Sequence, residues 1–415
     1  MKIGFICPEI RNDFHNDMAL ALARQGHRLI VYTEEHTAPS AYAFQQLHEN
    51  GVEYWIINNQ KKNLLTQLPD KLLKRVLSRN FLQRVFNLVR FLRCNRDCDI
   101  YIVEREWPCI AMAVATLFVP VRWIGTAHGH HDLELKQRYR GEIINPTKAR
   151  LLRWAFSRAF RVRANSYVVR DLLMAQGLPA HKIQVVPMHI TSLKDIPPET
   201  KLDEAKKQAC AWIESTYGIP RDADLIVIAA RLDPHKGIET VLDALPRVLE
   251  LRPRTRLMIC GGAHPIATYP GQEGYLTTLQ QRIQALGIGS HVVITGHVDR
   301  TRIRHYNIAA DIHAAPSVID TFNYSPVEAA LAGTFALVSD MTGCGPWLEQ
   351  AGAGKIVPGE AKEAWATALV DALSHPTSIT ARQHAAQALR ALLGVNAVAL
   401  VWSDWLKECA SSQDE

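Results

Sequence analysis

Short, unbroken apolar runs alternate along the chain with longer stretches in which apolar residues recur every three or four positions. In the first half the runs fall at 2–7, 28–33, 53–57, 99–104, 122–127, 161–164 and 183–186. In the second half they fall at 224–230, 255–260, 291–295, 311–314, 335–338 and 355–357. Runs of this length, apolar on both faces, predict strands buried in a parallel sheet, and the intervening 3.6-residue period predicts covering helices. Residues 196–224 break the rhythm with Pro197, Pro198, a charged helical run over 203–216 and Gly218-Ile219-Pro220. This break predicts a connection between two α/β domains, each doubly wound. In such sheets ligands bind at the carboxyl ends of the strands, which places the expected site in a crevice between the domains.

Composition changes this picture little. With 415 residues, 47% hydrophobic and 21% charged, the chain has the makeup of a globular protein of two or three domains. The eight cysteines are scattered and form no paired zinc pattern, which predicts reduced thiols in the cytoplasm. The longest apolar stretch, 109–121, is too short to span a membrane. Charge is more informative. Residues 1–200 carry 28 Lys/Arg against 18 Asp/Glu, whereas 201–415 carry 19 against 23. A basic first half points to a polyanionic surface. Its densest part, 61–96, holds ten Lys/Arg interleaved with apolar residues and a single acid, Asp70. That pattern predicts a basic amphipathic face lying on anionic lipid, at the inner side of the cytoplasmic membrane. The acidic second half argues against nucleic acid.

Two constellations carry chemistry. The strand 224–230 runs into Arg231-Leu232-Asp233-Pro234-His235-Lys236-Gly237 and then an amphipathic helix. Arg231 and Lys236 therefore sit on a strand-to-helix turn, where two cations suit a diphosphate. A solvated turn with an Arg–Asp pair is the plainer alternative. Further on, Asp320-Thr321-Phe322-Asn323-Tyr324-Ser325-Pro326-Val327-Glu328 sets two carboxylates eight positions apart. Ser325 at an N-cap, Pro326 at the first helical position and Glu328 at the third would form a capping box. Alternatively, Glu328 and Asp320 accept hydrogen bonds from ribose and sugar hydroxyls.

These segments together resemble glycosyltransferase family 4, whose members are retaining enzymes of the GT-B fold. The likeness rests on the strand–Arg231–x4–Lys236–Gly237–helix segment and on the acid–x7–Glu328 segment leading into Ala329-x-x-x-Gly333-Thr334. Arg24-Gln25-Gly26-His27, Thr126-Ala127-His128, Ala164-Asn165-Ser166 and Gly261-Gly262 extend it along most of the chain. The resemblance implies two Rossmann-like domains, 1–195 on the acceptor side and 196–394 binding a nucleotide-sugar, with a last helix at about 395–415 packing back on the first. It implies that Arg231 and Lys236 hold the donor diphosphate, Glu328 the ribose, and Asp320 the donor sugar, with His128 near the transferring sugar. Gly261, Gly262, Asn323, Tyr324 and Ser325 would complete the donor site. No metal or other cofactor is expected, since the two cations supply the charge. The donor would be a UDP- or GDP-sugar, and the acceptor an envelope glycan or glycolipid.

Three departures stand out. Asp320 takes the place of the family's usual Glu. The Gly-Gly loop after the first strand is replaced by Cys7-Pro8-Glu9-Ile10-Arg11, and Pro187-Met188-His189-Ile190 replaces Pro-Asn-Gly-Val. A non-catalytic nucleotide-sugar-binding protein and a GT-B epimerase or phosphorylase are the alternatives. The H-x-H-x-D run from His128 to Asp132 lacks the His that would follow it in dinuclear zinc hydrolases, Leu133 standing there instead. No G-x-G-x-x-G turn of a dinucleotide-binding dehydrogenase is present.

Overall fold

The structure is a computed structural model. It describes residues 1–7, 13–34, 45, 47–57, 80–128, 146–190, 201–262, 274–359 and 361–411. The loop 8–12, the histidines His130 and His131, and the basic stretch 61–79 lie outside the described residues.

The chain divides into two compact units, one holding the described residues up to Ile190 and from Leu393 onward, the other those from Lys201 to Leu392. The first unit is built on a seven-stranded sheet of β1 (Lys2–Ile6), β2 (Arg28–Glu34), β3 (Glu53–Ile57), β4 (Ile100–Val103), β5 (Trp123–Ala127), β6 (Arg161–Ala164) and β7 (Ile183–Val185). Every pairing is parallel, in the order β3-β2-β1-β4-β5-β6-β7. The order reverses between β1 and β4, the topological switch point at which doubly wound sheets bind ligands.

Helices cover both faces. On one, Phe81–Cys94, Glu106–Ala115 and Pro146–Arg158 lie side by side over a core that includes Phe91, Tyr101 and Trp123. On the other, Asp13–Arg24 packs against the helix Val395–Ser411, which buries Val398, Trp402, Trp405 and Leu406 beside Phe5 and Leu22. That late helix is keyed in by polar contacts as well. The buried His27 Nε2 lies 2.8 Å from Ser403 Oγ, and the Arg163 guanidinium stacks 5.8 Å from the Trp402 ring.

The second unit has a six-stranded parallel sheet, β8 (Leu225–Ala229), β9 (Arg256–Cys260), β10 (Val292–Gly296), β11 (Ile312–Ala315), β12 (Phe335–Ser339) and β13 (Gly354–Val357). Its order is β10-β9-β8-β11-β12-β13, so the switch point lies between β8 and β11. All thirteen strands fall on the apolar runs of the sequence. The charged run expected in the connection is the helix Leu202–Tyr217, which buries Leu202, Ala209 and Ile213 and packs on Arg300–Ala309. It is therefore part of the second unit. Its apolar stripe was obscured by the charges on its outer face.

Candidate functional site

In the second unit the switch point brings the two sequence constellations together. β8 and β11 are neighbours in register, Ile312 beside Ile226 and His313 beside Val227, so the loops leaving their carboxyl ends must meet. The loop after β8 tightens into a short 3-10 turn, Pro234–Lys236. Its cap is Asp233, which accepts from the His235 amide at 3.3 Å and also pairs with the His235 ring. Asp233 is almost fully buried and pairs with His235; among the described residues no pair forms between Arg231 and Asp233. Gly237 follows at φ 62°, and a Cβ there would lie 2.0 Å from the Pro316 carbonyl oxygen. Only glycine fits this conformation at this distance. The Val318 amide donates to the His235 carbonyl at 2.9 Å and seals the two loops.

Lys236 and Asp320 then meet directly, Nζ to Oδ2 at 2.5 Å, with both side chains about 15% exposed. The loop carrying Asp320 is clamped on its far side. The Asp320 amide donates to the Met341 carbonyl at 2.9 Å, and the Gly343 amide donates to the Asp320 carbonyl at 2.9 Å. Arg231 is exposed, and its side chain has no hydrogen-bond or ionic partner among the described residues. Its backbone is fixed by the glycine turn after β9. The Ala230 amide donates to the Cys260 carbonyl and the Leu232 amide to the Gly262 carbonyl, at 3.0 and 3.1 Å. A Cβ on Gly261 would sit 1.8 Å from the Ala230 carbonyl oxygen. Gly261 and Gly262 thus hold the strand end that presents Arg231.

The second constellation departs from expectation at its helix start. The helix runs Tyr324–Leu331, and its cap is Asn323, at φ 68°, whose side chain accepts from the Ser325 amide at 3.2 Å. Asparagine tolerates this left-handed φ because its short side chain bonds the local backbone. Ser325 is therefore inside the helix and Glu328 lies in its second turn, so no capping box forms. Glu328 instead pairs with Arg300 at 2.5 Å. Ser325 Oγ lies 3.3 Å from Nε2 of His313, whose Nδ1 lies 3.0 Å from Asn307 Oδ1. Burial pushes the His313 pKa down to about 3, so this ring is neutral. Tyr324 packs on Phe322, ring centroids 5.3 Å apart.

His128 belongs to the first unit, at the end of β5 and next to the switch point there. Its Nε2 lies 2.6 Å from Oε2 of Glu104, at the end of the adjacent β4. The same oxygen is 3.2 Å from Thr126 Oγ1 and 3.9 Å from His15 Nε2. Burial alone would push the Glu104 pKa up. The charge and hydrogen bond of His128, with His15 and Arg163, outweigh it and hold the value down to about 2. Burial, opposed by Glu104, lowers the His15 pKa to about 4. The sequence reading missed Glu104 and His15. The available signal was an acid ending a four-residue apolar strand one place from the strand that ends in His128. Among the described residues no group of three or more His, Cys, Asp or Glu is arranged to hold a metal ion.

Both units match known protein families. Residues 16–190 match the family model described as Glycosyltransferase Family 4, and residues 213–390 match Glycosyl transferases group 1. The chain thus carries a glycosyltransferase family 4 domain followed by a group 1 glycosyltransferase domain. The D-inositol 3-phosphate glycosyltransferase of Jonesia denitrificans is 28% identical over 214 residues, covering 50% of this chain and 48% of that protein. The phosphatidyl-myo-inositol mannosyltransferase of Mycobacterium tuberculosis is 32% identical over 158 residues, 38% of each chain. The chain thus spans about half or less of the length of these curated relatives. The fold is shared along nearly the whole chain with HepE of Anabaena, solved with UDP and glucose, at TM-score 0.65 and 18% identity over 98% of this chain and 99% of that one. It is shared likewise with the sucrose-phosphate synthase of Thermosynechococcus elongatus, at TM-score 0.69 and 17% identity over 98% of each. The fold is GT-B.

Proposed function

We propose that the chain is a retaining glycosyltransferase that moves a sugar from a UDP- or GDP-sugar to a glycan or lipid-linked acceptor of the cell envelope. The observation that carries this reading is the meeting of Lys236 with Asp320 at the switch point, on the loop that also carries Arg231, whose side chain has no partner among the described residues, within the segment matching the group 1 model. Two cations at one sheet edge suit the diphosphate that accumulates charge as the glycosidic bond breaks. Stabilising that leaving group is the main catalytic term for such transfer. Asp320 both orients Lys236 and offers a carboxylate oxygen to sugar hydroxyls, and Glu328 offers one to the ribose. No protein nucleophile is required if the leaving phosphate takes the acceptor's proton. Metal is not needed where side chains neutralise the diphosphate. The mycobacterial relative is named for a phosphatidylinositol acceptor, which favours a lipid-linked acceptor here.

The test is transfer of labelled sugar from UDP-glucose and GDP-mannose to envelope lipid and glycan fractions. Arg231→Ala and Lys236→Ala should each slow transfer by about 10²–10³-fold without loss of fold. Near-normal turnover in both would sink the assignment. A labelled donor that binds but never transfers would favour the non-catalytic reading.

The acceptor also bears on location. Among the described residues no helix is long and apolar enough to cross a membrane. The helix Phe81–Cys94 buries Phe81, Val85, Leu88, Phe91 and Leu92 but leaves Phe86 half exposed, with Arg90 and Arg93 also outward. This basic, partly apolar face supports reversible attachment to anionic lipid at the inner face of the cytoplasmic membrane. Co-sedimentation with vesicles should require anionic lipid and fall with salt. Equal binding to neutral vesicles would exclude the electrostatic mode.

A further inference from the structure

Glu104 is an acid that the first sheet delivers to a strand end and then covers almost completely, at 4% exposure. Its backbone is fixed from both sides. The amide donates to the Ile6 carbonyl at 2.9 Å, and the next residue, Arg105, is held at φ 74°. A left-handed conformation at a non-glycine persists only where the surroundings enforce it, and such outliers gather at functional sites. Here the Arg105 amide reaches the Thr126 hydroxyl at 3.3 Å, and that hydroxyl lies 2.9 Å from the Val103 carbonyl oxygen. β4 and β5 run in register, Val103 beside Gly125, so the strained turn lifts the Glu104 carboxylate level with His128.

The polar groups around the carboxylate come from three elements. His15 approaches from the helix Asp13–Arg24, Thr126 and His128 from β5, and Arg163 from β6. Arg163 is itself buried, donating to the Val186 and Pro187 carbonyls at 2.8 and 2.9 Å. A guanidinium cannot shed its charge, and protonating Glu104 would remove the nearby negative charge that offsets it. The carboxylate is therefore ionised and can only accept hydrogen bonds. Its partner at 2.6 Å must be a protonated Nε2. The other ring nitrogen, Nδ1, has no partner among the described residues, and the His128 side chain is 20% exposed.

We propose that Glu104 is a positioning residue that accepts the His128 Nε2–H hydrogen bond, fixing the ring so that Nδ1 is turned out as an acceptor for a sugar hydroxyl. This rests on the sugar-transferase reading above. Which imidazole nitrogen is free is decided by the bond the other one makes. In the Nε2–H tautomer the Nδ1 lone pair takes the proton side of a hydroxyl, aligning that oxygen without the ring itself becoming a nucleophile.

The tautomer is measured first, with no substrate, on full-length protein labelled with ¹⁵N-histidine, His128 being assigned by its loss in His128→Asn. At pH 8 the expected signal is the Nε2–H tautomer in the wild type and a mixture in Glu104→Gln. The Nδ1–H tautomer in the wild type overturns the proposal. Release of UDP or GDP from UDP-glucose or GDP-mannose is then followed, with the donor that the wild type turns over. Glu104→Gln should lower kcat by about 10²-fold, the scale of losing one oriented polar group, with KM for the donor changed less than about threefold. Because Glu104 acts through His128, the Glu104→Gln/His128→Asn double variant should match His128→Asn alone. Additive losses, or a wild-type kcat in Glu104→Gln, overturn it. A wild type that consumes neither donor refutes the transferase reading and the catalytic part of this proposal, while the tautomer still decides the pairing.

Discussion

Acid should destabilise the second unit through one ring. His313 stands in the middle of the sheet, on β11, with both nitrogens in hydrogen bonds to Asn307 and Ser325. Burial lowers its pKa from 6.5 to about 3. Above pH 6.5 the ring is neutral in both the folded and unfolded states and contributes no pH dependence. Below it, the unfolded chain takes up a proton that the folded one refuses, so stability falls as pH drops from 6.5 towards 3. Each pH unit in this window costs about 1.4 kcal/mol, and acidification from pH 7 to 5 costs about 2 kcal/mol from His313 alone. That is a large share of the 5–15 kcal/mol typical of a domain. Urea titrations at pH 7, 6 and 5 would measure it, comparing the wild type with His313→Gln. The amide occupies similar space but cannot titrate. It should be less stable at pH 7, because two tuned hydrogen bonds are disturbed. Its stability should nevertheless vary less with pH by about 2 kcal/mol across that range. Parallel pH profiles for the two proteins would refute the assignment of this dependence to His313.

Gly237→Ala should destabilise the second unit far more than Gly287→Ala. Both glycines have positive φ, costing about 1–3 kcal/mol for a side chain, but only at Gly237 would the Cβ also strike the Pro316 carbonyl. Equal shifts in thermal midpoint would show that the two loops are not locked together. Glu328→Gln should weaken nucleoside diphosphate binding by about 10-fold or more in calorimetry, because a charged hydrogen bond contributes roughly 1.5–3 kcal/mol. Arg300→Ala removes only a half-exposed partner and should change stability by less than about 1 kcal/mol. Unchanged affinity in Glu328→Gln would leave only the pairing with Arg300. Asp320→Asn should reduce transfer by about 10²-fold, while Asp320→Glu should keep most of it by preserving the pair with Lys236. The same loss in both variants would mean that the shorter acid is itself required.

The sheets were legible in the sequence because parallel strands buried on both faces leave short uninterrupted apolar runs, which length separates from the longer apolar run of the helix Glu106–Ala115. That Arg231, Lys236 and Asp320 lie on loops leaving strand ends was legible for a related reason, since each follows such a run. That Lys236 and Asp320 touch was not legible, because strand order, not strand position, makes β8 and β11 neighbours. Glu104 was invisible for the same reason. An acid at a strand end carries no message until the register sets His128 beside it. The helix start at Tyr324 was misplaced because Ser325-Pro326 is a strong local signal for a cap. Asn323 overrides it by adopting a left-handed φ that sequence does not announce.

The helix Val395–Ser411 carries a consequence for synthesis. It completes one face of the first unit, yet it is translated only after the whole of the second. During elongation the helix Asp13–Arg24 lacks the outer part of its cover, His27 has no Ser403, and Arg163 has no Trp402 to stack on. The amino-terminal unit therefore waits, partly unclosed, while its neighbour along the chain can already mature. The nascent protein must then keep an apolar groove out of trouble for the time it takes to make some two hundred residues. Chaperone dependence, and sensitivity to loss of the final helix, should fall on the first unit and not on the second.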